Sequence, residues 1–355
     1  MLADLIFTTP AIETIFSDET ELRLMLDVER HLVGAQAHVG DVPDWAAQVI
    51  DSVCAEPDWA IQHIREQVLL AGNPAIPLVN LLRARVTQQN PEAAQFVHRG
   101  ATSQDVIDTA LMGQLRLAFA LFEAELERLV QQLRALDQTH GSAPMIARTL
   151  LQQALPFTFG DKLAGWLDGL ERTHQTINQL KTSTLSLQLG GPIGTGKSLG
   201  EHRERIYQLV ADALGLTNPP RAWHTQRDRI ATLASALGTL NGLLGKLATD
   251  VTLLMQTEVS EVREGAAEGK GGSSSMPHKR NPVTSTFMVA IAHRTPALVS
   301  TVLTTMLQPH ERAAGQWHAE WGVLRDLCRL TAANLHHAND LFQNLEIDEQ
   351  RMRVN

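Results

Sequence analysis

Two long stretches of the chain repeat apolar residues at steps of three and four, a spacing that an α-helix turns into one buried stripe. They cover residues 105–137 and 227–259. Helices of this length, each spanning ~45 Å, cannot bury a whole stripe alone, so they predict an elongated bundle of packed helices. Further helices are predicted after Pro282 and after Ala313.

Composition and proline spacing complete the fold prediction. Aromatic residues make up 5% of the 355 residues, and the apolar residues are mostly leucine and alanine, which favour helix over sheet. The first hundred residues form shorter segments separated by prolines. We predict an all-α fold with a small N-terminal helical domain at 1–104 and a central long-helix bundle at 105–345. Residues 346–355 are expected to begin a C-terminal domain that is absent from the chain.

The sequence argues against several kinds of partner. The formal net charge is −9, so the chain lacks the basic surface that nucleic-acid binding requires. Its start has no basic segment followed by a long apolar run, and no stretch reaches the ~18 uninterrupted apolar residues of a membrane helix. Cys54 and Cys328 lie far apart and form no metal or redox motif. We expect a cytoplasmic protein that needs no metal or cofactor and contacts neither nucleic acid nor membrane.

The clearest chemical pattern is GAAEGKGGSSSMPHKRNP at 265–282. Its glycines and three consecutive serines predict a loop, after which His278, Lys279 and Arg280 crowd together. A solvated linker explains the glycines and serines, but not this basic cluster between two long amphipathic helices. Loop amides beside Lys279 would form an anion nest able to stabilise a serine alkoxide or an enolate.

Three segments resemble the signatures of one enzyme superfamily. GSSSMPHKRNP at 272–282 resembles the pattern GSSxMPxKxNP of the fumarase/aspartase superfamily. HRGATSQD at 98–105 and RTLLQQALP at 148–156 resemble its other two signatures, in the same order along the chain. The resemblance implies a fumarase/aspartase-like helical homotetramer in which each active site is assembled from three subunits.

Site residues follow from the matched positions. The resemblance implies that Ser273 transfers a proton and that Lys279 stabilises the charge that develops during catalysis. Other positions are expected to bind the carboxylates of a small-molecule substrate: His98, Thr102, Ser103, Arg148, Thr149, Gln152, His224, Arg227, Asn281, His310 and Arg312.

Several of these positions have structural interpretations that the sequence leaves open. Thr102 and Ser103 are natural N-caps of the helix predicted at 105–137. Arg148 would pair equally well with a protein carboxylate, and His98 fits a hydrogen-bonded interior histidine. The His224 side chain stands at a predicted helix start, where polar residues are common.

Other stretches indicate a branch of the superfamily. AWHTQRDR at 222–229, HERA at 310–313 and WHAEW at 317–321 resemble the carboxymuconate cycloisomerases. Leu150 stands where hydro-lyases and amino-lyases carry a catalytic histidine; cycloisomerases also lack it, although they tend to have an aromatic residue there. The resemblance implies conversion of 3-carboxy-cis,cis-muconate to 4-carboxymuconolactone in the protocatechuate branch of the β-ketoadipate pathway.

Three other interpretations stay open. GPIGTGKS at 191–198 satisfies the phosphate-loop pattern, follows a strand-like run at 184–189 and precedes a predicted helix at 199–214. That fold needs several parallel strands, which the chain does not offer, and superfamily members resemble it in having a glycine-rich turn here. Another superfamily lyase, of the adenylosuccinate lyase type, is the second alternative. A non-catalytic relative is the third, favoured by Leu150 but opposed by the intact Ser273 segment.

Overall fold

The computed structural model describes residues 2–265, 271–272, 276 and 279–355. Its α-helices, in chain order, are α1 Pro10–Ile15, α2 Asp18–His38, α3 Asp44–Cys54, α4 Ile61–Ala71, α5 Ala75–Gln89, α6 Ser103–His140, α7 Phe159–Ser183, α8 Arg203–Leu214, α9 Asp228–Leu254, α10 Val283–Thr305, α11 Gln316–Gln343 and α12 Glu349–Val354. The strands are β1 Pro144–Thr149, β2 Gln152–Thr158, β3 Val262–Arg263 and β4 Glu346–Ile347.

The predicted all-α bundle is confirmed. The long helices α6, α7, α9, α10 and α11 pack side by side around one apolar core. The stripe predicted at 105–137 lies within α6, and the second stripe forms α9. α9 occupies the centre of the bundle, in contact with α7, α10 and α11, and its leucines at every third or fourth position are buried.

α6 begins where the sequence places an N-cap. Thr102 adopts extended backbone angles as the N-cap residue, and its N–H donates to Asp105 Oδ2 at 3.0 Å. This reciprocal arrangement of N-cap and third helical residue satisfies backbone groups that the first turn leaves unpaired. Ser103 is therefore the first residue of the helix, with Thr102 capping it.

The N-terminal helices form a second core. α2 packs on α3, α6 and α8, and α5 packs on α3 and α4. The apolar residues Val106, Ile107 and Ala110 on the first turns of α6 belong to this N-terminal core. The two cores therefore meet on α6, and the domain boundaries drawn at 104 and 345 stay a prediction.

Two local predictions were wrong. The strand-like run at 184–189 forms a single bridge between Ser186 and Thr217, and the helix predicted from 199 begins at Arg203 after a 3-10 turn at Lys197–Leu199. The sequence also gave no indication of β1 and β2, which form an antiparallel hairpin carrying the second signature. Both strands are short; β2 is mostly exposed and β1 mostly half-buried, so neither shows the alternation that marks a strand with one buried face.

The direction of the helices gives the bundle two functionally different ends. α6 and α9 both begin at one end, which we call the proximal end, and α10 finishes there. At the distal end α6 and α9 finish, the β1–β2 hairpin follows, and α10 begins. α6 has 38 residues and spans about 57 Å, and α9 has 27 residues and spans about 40 Å. Segments at opposite ends of one chain are therefore tens of ångströms apart.

Among the described residues, two helices are long and apolar enough to cross a membrane by length and composition alone. α9 is 56% buried over its most apolar window, as expected for the central helix of a bundle. α10 is 22% buried over the corresponding window, and its exposed face is mainly polar, with Thr286, Arg294 and Thr301 as well as Leu303.

Truncation of a bundle leucine tests the core. Leu244 on α9 is fully buried, so Leu244→Ala should lower the free energy of unfolding by about 2–5 kcal/mol, because a cavity replaces packed methyl groups. Leu69 on α4 is 90% exposed, and Leu69→Ala should change it by less than about 0.5 kcal/mol. Denaturant titration of both variants measures the difference. Equal losses would contradict the central position of α9.

Candidate active site

The structure divides the predicted site residues between the two ends of the bundle. Ser273 lies outside the described residues. The proximal end holds His98, Thr102, Ser103, His224, Arg227, His310 and Arg312. The distal end holds Arg148, Thr149, Gln152, Lys279 and Asn281.

The Asp105 carboxylate organises the proximal end. It lies in the first turn of α6, is fully buried and accepts four hydrogen bonds. The N–H of Thr102 and that of Gly191 donate to Oδ2 at 3.0 and 2.8 Å, and the N–H of Gly190 donates to Oδ1 at 3.0 Å. Nε2 of His224, which is also buried, lies 2.6 Å from Oδ1. One charge thus joins the first signature, the glycine-rich turn and the segment ahead of α9.

This arrangement rules against a phosphate loop at 191–198. The N–H of Gly191, the first residue of the pattern, and that of Gly190 just before it donate to a carboxylate of the same chain, and the N–H of Gly196 donates to the Gly190 carbonyl. Gly191 has φ +69°, and a Cβ there would lie 2.8 Å from the carbonyl oxygen of Gly100, so the turn packs directly on the first signature. Lys197 is exposed in a 3-10 turn, and the described residues contain no parallel sheet beneath it.

Arg227 sits in a buried ionic network rather than on an open surface. Its guanidinium bridges Asp108, at 2.8 and 3.1 Å, and Glu320, at 2.6 to 3.1 Å. Burial by itself lowers the pKa of Arg227, but the two carboxylates outweigh burial and raise the pKa above its ordinary value. All three guanidinium nitrogens have protein partners, so Arg227 ties α6, α9 and α11 together. Its predicted contact with substrate stays a prediction.

Arg312 has a different environment. Its Nη2 donates to the carbonyl oxygen of Gly191 at 2.7 Å, and its Nη1 to that of Glu311 at 2.6 Å. Among the described residues no carboxylate forms an ion pair with it. His310, two residues earlier, is exposed with φ +50°, and its carbonyl accepts from the Thr225 hydroxyl at 2.9 Å. A half-buried arginine held by neutral oxygens beside the glycine turn is suited to an anionic ligand.

His98 forms a close pair with a carboxylate that the sequence did not single out. Its Nδ1 lies 2.5 Å from Oε1 of Glu29 on α2, and Glu29 is 2% exposed. The backbone of His98 is in the left-handed region, with φ +61°. This segment leads directly into Thr102, so the pair fixes the approach to α6.

The distal end is built around the hairpin and the segment after α9. Arg148 on β1 donates from both terminal nitrogens to the fully buried Glu261, at 3.0 and 2.6 Å. The side chain of Asn355 also donates to Glu261, at 2.9 Å. Arg148 thereby fixes the hairpin to the body of the chain, and its predicted role towards substrate stays a prediction. Thr149 and Gln152 pair across the hairpin and are both exposed.

The third signature is anchored at its edges. The N–H of Asn281 donates to the carbonyl of Gly271 at 2.9 Å, which brings the two sides of the segment together. The Arg280 guanidinium forms an ion pair with Glu346, at 3.0 Å. Glu264, buried, accepts from the N–H groups of Thr284 and Ser285 in the first turn of α10. Lys279 is exposed at this anchored edge.

Comparisons with known proteins agree with this architecture. A family model described as lyase matches residues 7–296. The chain belongs to this family of the fumarase/aspartase superfamily.

Relatives in the superfamily match along the whole chain. The 3-carboxy-cis,cis-muconate cycloisomerase of Pseudomonas aeruginosa is 47% identical over 354 residues, covering 100% of this chain and 77% of that protein. The protein of the same name from Pseudomonas putida is 44% identical, covering 100% and 84%. The crystal structure of 3-carboxy-cis,cis-muconate lactonizing enzyme from Pseudomonas putida has a TM-score of 0.94 at 43% identity, covering 100% of this chain and 79% of that chain.

The sequence analysis missed the acidic residues that pair with the predicted basic site residues. Asp105 and Glu320 lie inside the matched segments at 98–105 and 317–321 but were assigned no role, and Glu29 lies in none of them, yet each acid binds a predicted site residue at the proximal end. One signal was available. Glu29 interrupts the apolar face of α2, and a charged residue on such a face is buried only when it is paired.

One further group of potential metal ligands occurs among the described residues. Glu123 and Glu127 on α6 face His174 on α7, with ligand atoms within 4.8 Å of one another. The Lys181 ammonium is already paired with Glu123, and the Asn178 amide contacts His174 Nε2 at 3.2 Å. These contacts satisfy the group without an ion.

Replacement of Arg227 tests its structural role. Arg227→Met should lower the free energy of unfolding by about 3–5 kcal/mol, because Asp108 and Glu320 would stay buried without a cation. The surface arginine Arg65, 65% exposed in its side chain, is the control: Arg65→Met should cost no more than about 1 kcal/mol. Denaturant titration measures both. A fully stable Arg227→Met protein that had lost only substrate affinity would instead assign this arginine to the substrate.

Proposed function

We propose that this chain is a cycloisomerase that converts 3-carboxy-cis,cis-muconate to 4-carboxymuconolactone. The observation that carries the proposal is the 47% identity to a carboxymuconate cycloisomerase over the whole chain. Leu150, in the position of the histidine of hydro-lyases and amino-lyases, supports this branch of the superfamily, because a leucine side chain can neither donate nor accept a proton.

The reaction needs one bond to form and one proton to be delivered. A substrate carboxylate oxygen adds to a diene carbon, and the electron pair moves to the neighbouring carbon, next to a second carboxylate. Ser273 then donates its hydroxyl proton to that carbon, and the resulting alkoxide regains a proton from solvent. Lys279 and loop amides stabilise the alkoxide and the enolate-like intermediate, since a free serine hydroxyl is a very weak acid and base.

The substrate carries three carboxylates, which the proximal end is suited to hold. Arg312 donates to two carbonyl oxygens and forms no direct ion pair with a described carboxylate. Thr102 and Ser103 offer a helix N-terminus with hydroxyl groups, and His98 and His224 line the same end. Such groups create a local site for an anion in a chain whose net charge is −9.

We infer that the complete site is shared between subunits of a homotetramer. Within one chain the proximal residues are separated from Lys279 and Asn281 by the length of α9, about 40 Å. No side chain reaches across that distance, so the proximal end of one copy must meet the distal ends of others. The exposed Leu303 of α10 and the exposed hairpin leucines Leu150 and Leu151 supply apolar surface for such an assembly.

Turnover of the proposed substrate is the first test. Purified protein with 3-carboxy-cis,cis-muconate should remove the conjugated-diene absorbance, and Ser273→Ala should lower kcat by about 10²–10⁴-fold because the proton donor is lost. Ser275→Ala, in the same serine run, should retain most activity. Adenylosuccinate, argininosuccinate and fumarate are assayed in parallel. Turnover of one of these three and not of carboxymuconate would replace the proposal by another superfamily activity.

Mixing two inactive variants tests the shared site. Arg312→Ala damages the proximal end and Lys279→Ala the distal end, so each protein alone should be nearly inactive. After joint refolding or co-expression, about a quarter of the sites should combine an intact proximal end with an intact distal end and regain activity. An Arg312→Ala, Lys279→Ala double variant mixed with itself is the control. Failure of the mixture to recover any activity, with tetramers formed, would place both ends of the site in one chain.

A further inference from the structure

Glu29 is a buried acid on a mostly apolar helix face. It lies on α2 among Leu26, Leu32 and Val33, and its exposed fraction is 2%. Its hydrogen-bond partner within the described chain is Nδ1 of His98, at 2.5 Å. A carboxylate in such surroundings costs free energy unless it is paired, so this position calls for a reason beyond packing.

The backbone of His98, the partner of Glu29, adopts an unusual conformation. Its φ of +61° is uncommon for a residue with a Cβ, and the next residue is fastened to α2 by the side chain of Gln36, which donates to the Arg99 carbonyl at 2.8 Å. Nδ1 is occupied by Glu29. Nε2 has no hydrogen-bond partner among the described residues, and the side chain is 17% exposed.

We propose that Glu29 is a positioning residue that orients His98 so that its Nε2–H donates to a carboxylate of the substrate at the proximal end. The inference rests on the proposed function, since it requires an anionic substrate there. A carboxylate that accepts from Nδ1–H fixes both the ring orientation and which nitrogen faces the ligand. His98 touches the substrate, and Glu29 acts only through it.

The charges around the ring favour the protonated form. Burial by itself lowers the pKa of His98, but the hydrogen bond and charge of Glu29 outweigh burial, and Asp105 on α6 adds to this effect, whereas Arg83 on α5 opposes it. The pKa of His98 is therefore raised above its ordinary value. Because only imidazolium donates from both nitrogens, His98 keeps its Nε2–H to higher pH than an isolated histidine.

The variant Glu29→Gln removes the charge while keeping the shape of the side chain. With burial no longer opposed, the pKa of His98 should fall, so at a pH between the two titration midpoints the variant ring has lost its Nε2–H while the wild-type ring keeps it, and KM for carboxymuconate should rise about tenfold. At a pH below both midpoints the ring is protonated in both proteins, and the two KM values should agree within about twofold. kcat should change much less than KM. Glu21→Gln, on the same helix without a histidine partner, should match wild type at both pH values.

A double variant tests whether Glu29 acts on the substrate through His98 or only stabilises the fold. In a His98→Asn background, Glu29→Gln should add no further rise in KM, because its effect passes through the ring. An equal KM rise at both pH values, or additive effects of the two substitutions, would overturn the proposal. The contact between Glu29 and His98 would then only stabilise the fold.

A readout without turnover keeps this inference distinct from the proposed function. The ring of His98 is assigned in histidine-labelled protein by the NMR signal that disappears in His98→Asn, and it is titrated in wild type and in Glu29→Gln. A midpoint above about 6.5 that falls in Glu29→Gln supports the Glu29 role even if carboxymuconate is not the substrate. Identical midpoints would overturn it, while wild-type turnover of carboxymuconate would leave the proposed function standing.

Discussion

The Asp105 carboxylate is the interaction on which the proximal end depends. Three backbone N–H groups and the His224 ring converge on one fully buried carboxylate, which is stabilised by hydrogen bonds rather than by an arginine. The same residue belongs to the N-terminal turn of α6, so helix start, glycine turn and site histidine are positioned by a single group. The glycine-rich segment at 191–198 thus begins with an N–H group that binds a carboxylate of the same chain.

Helix length imposes the second constraint. A stripe of three- and four-residue steps makes α6 and α9 long, and long helices carry the signatures at their ends away from one another. The hairpin reflects the same constraint: Leu150 and Leu151 both have positive φ, with exposed side chains, in a turn where glycine and asparagine would be less strained. Strained, exposed leucines are costly in an isolated chain, and contact with another copy would offset that cost.

The fold was more predictable than the site. The sequence predicts α6 and α9 because a helix with one buried face has apolar residues at every third or fourth position. It also predicts the start of α6 at Thr102, because an N-cap depends only on residues close by in the sequence. The β1–β2 hairpin has no such pattern, since β2 is mostly exposed and β1 is mostly half-buried. Signature residues such as Lys279 and Arg312 were found by resemblance, but the acids that hold the site, Glu29 above all, depend on contacts between segments distant in sequence. No local pattern encodes those contacts.

The partner of each basic residue decides what that residue can do for an anionic substrate. Arg148 and Arg227 are both bound by buried carboxylates, so they stiffen the distal and proximal ends and add little positive charge to an open site. Arg312 is held by carbonyl oxygens and keeps its charge for a ligand. His98 is intermediate: its carboxylate partner offsets its charge at long range but raises the pKa of the ring, so the opposite nitrogen keeps its proton to higher pH. An acidic protein can thus select a polyanion by directed donors, without a broad basic surface.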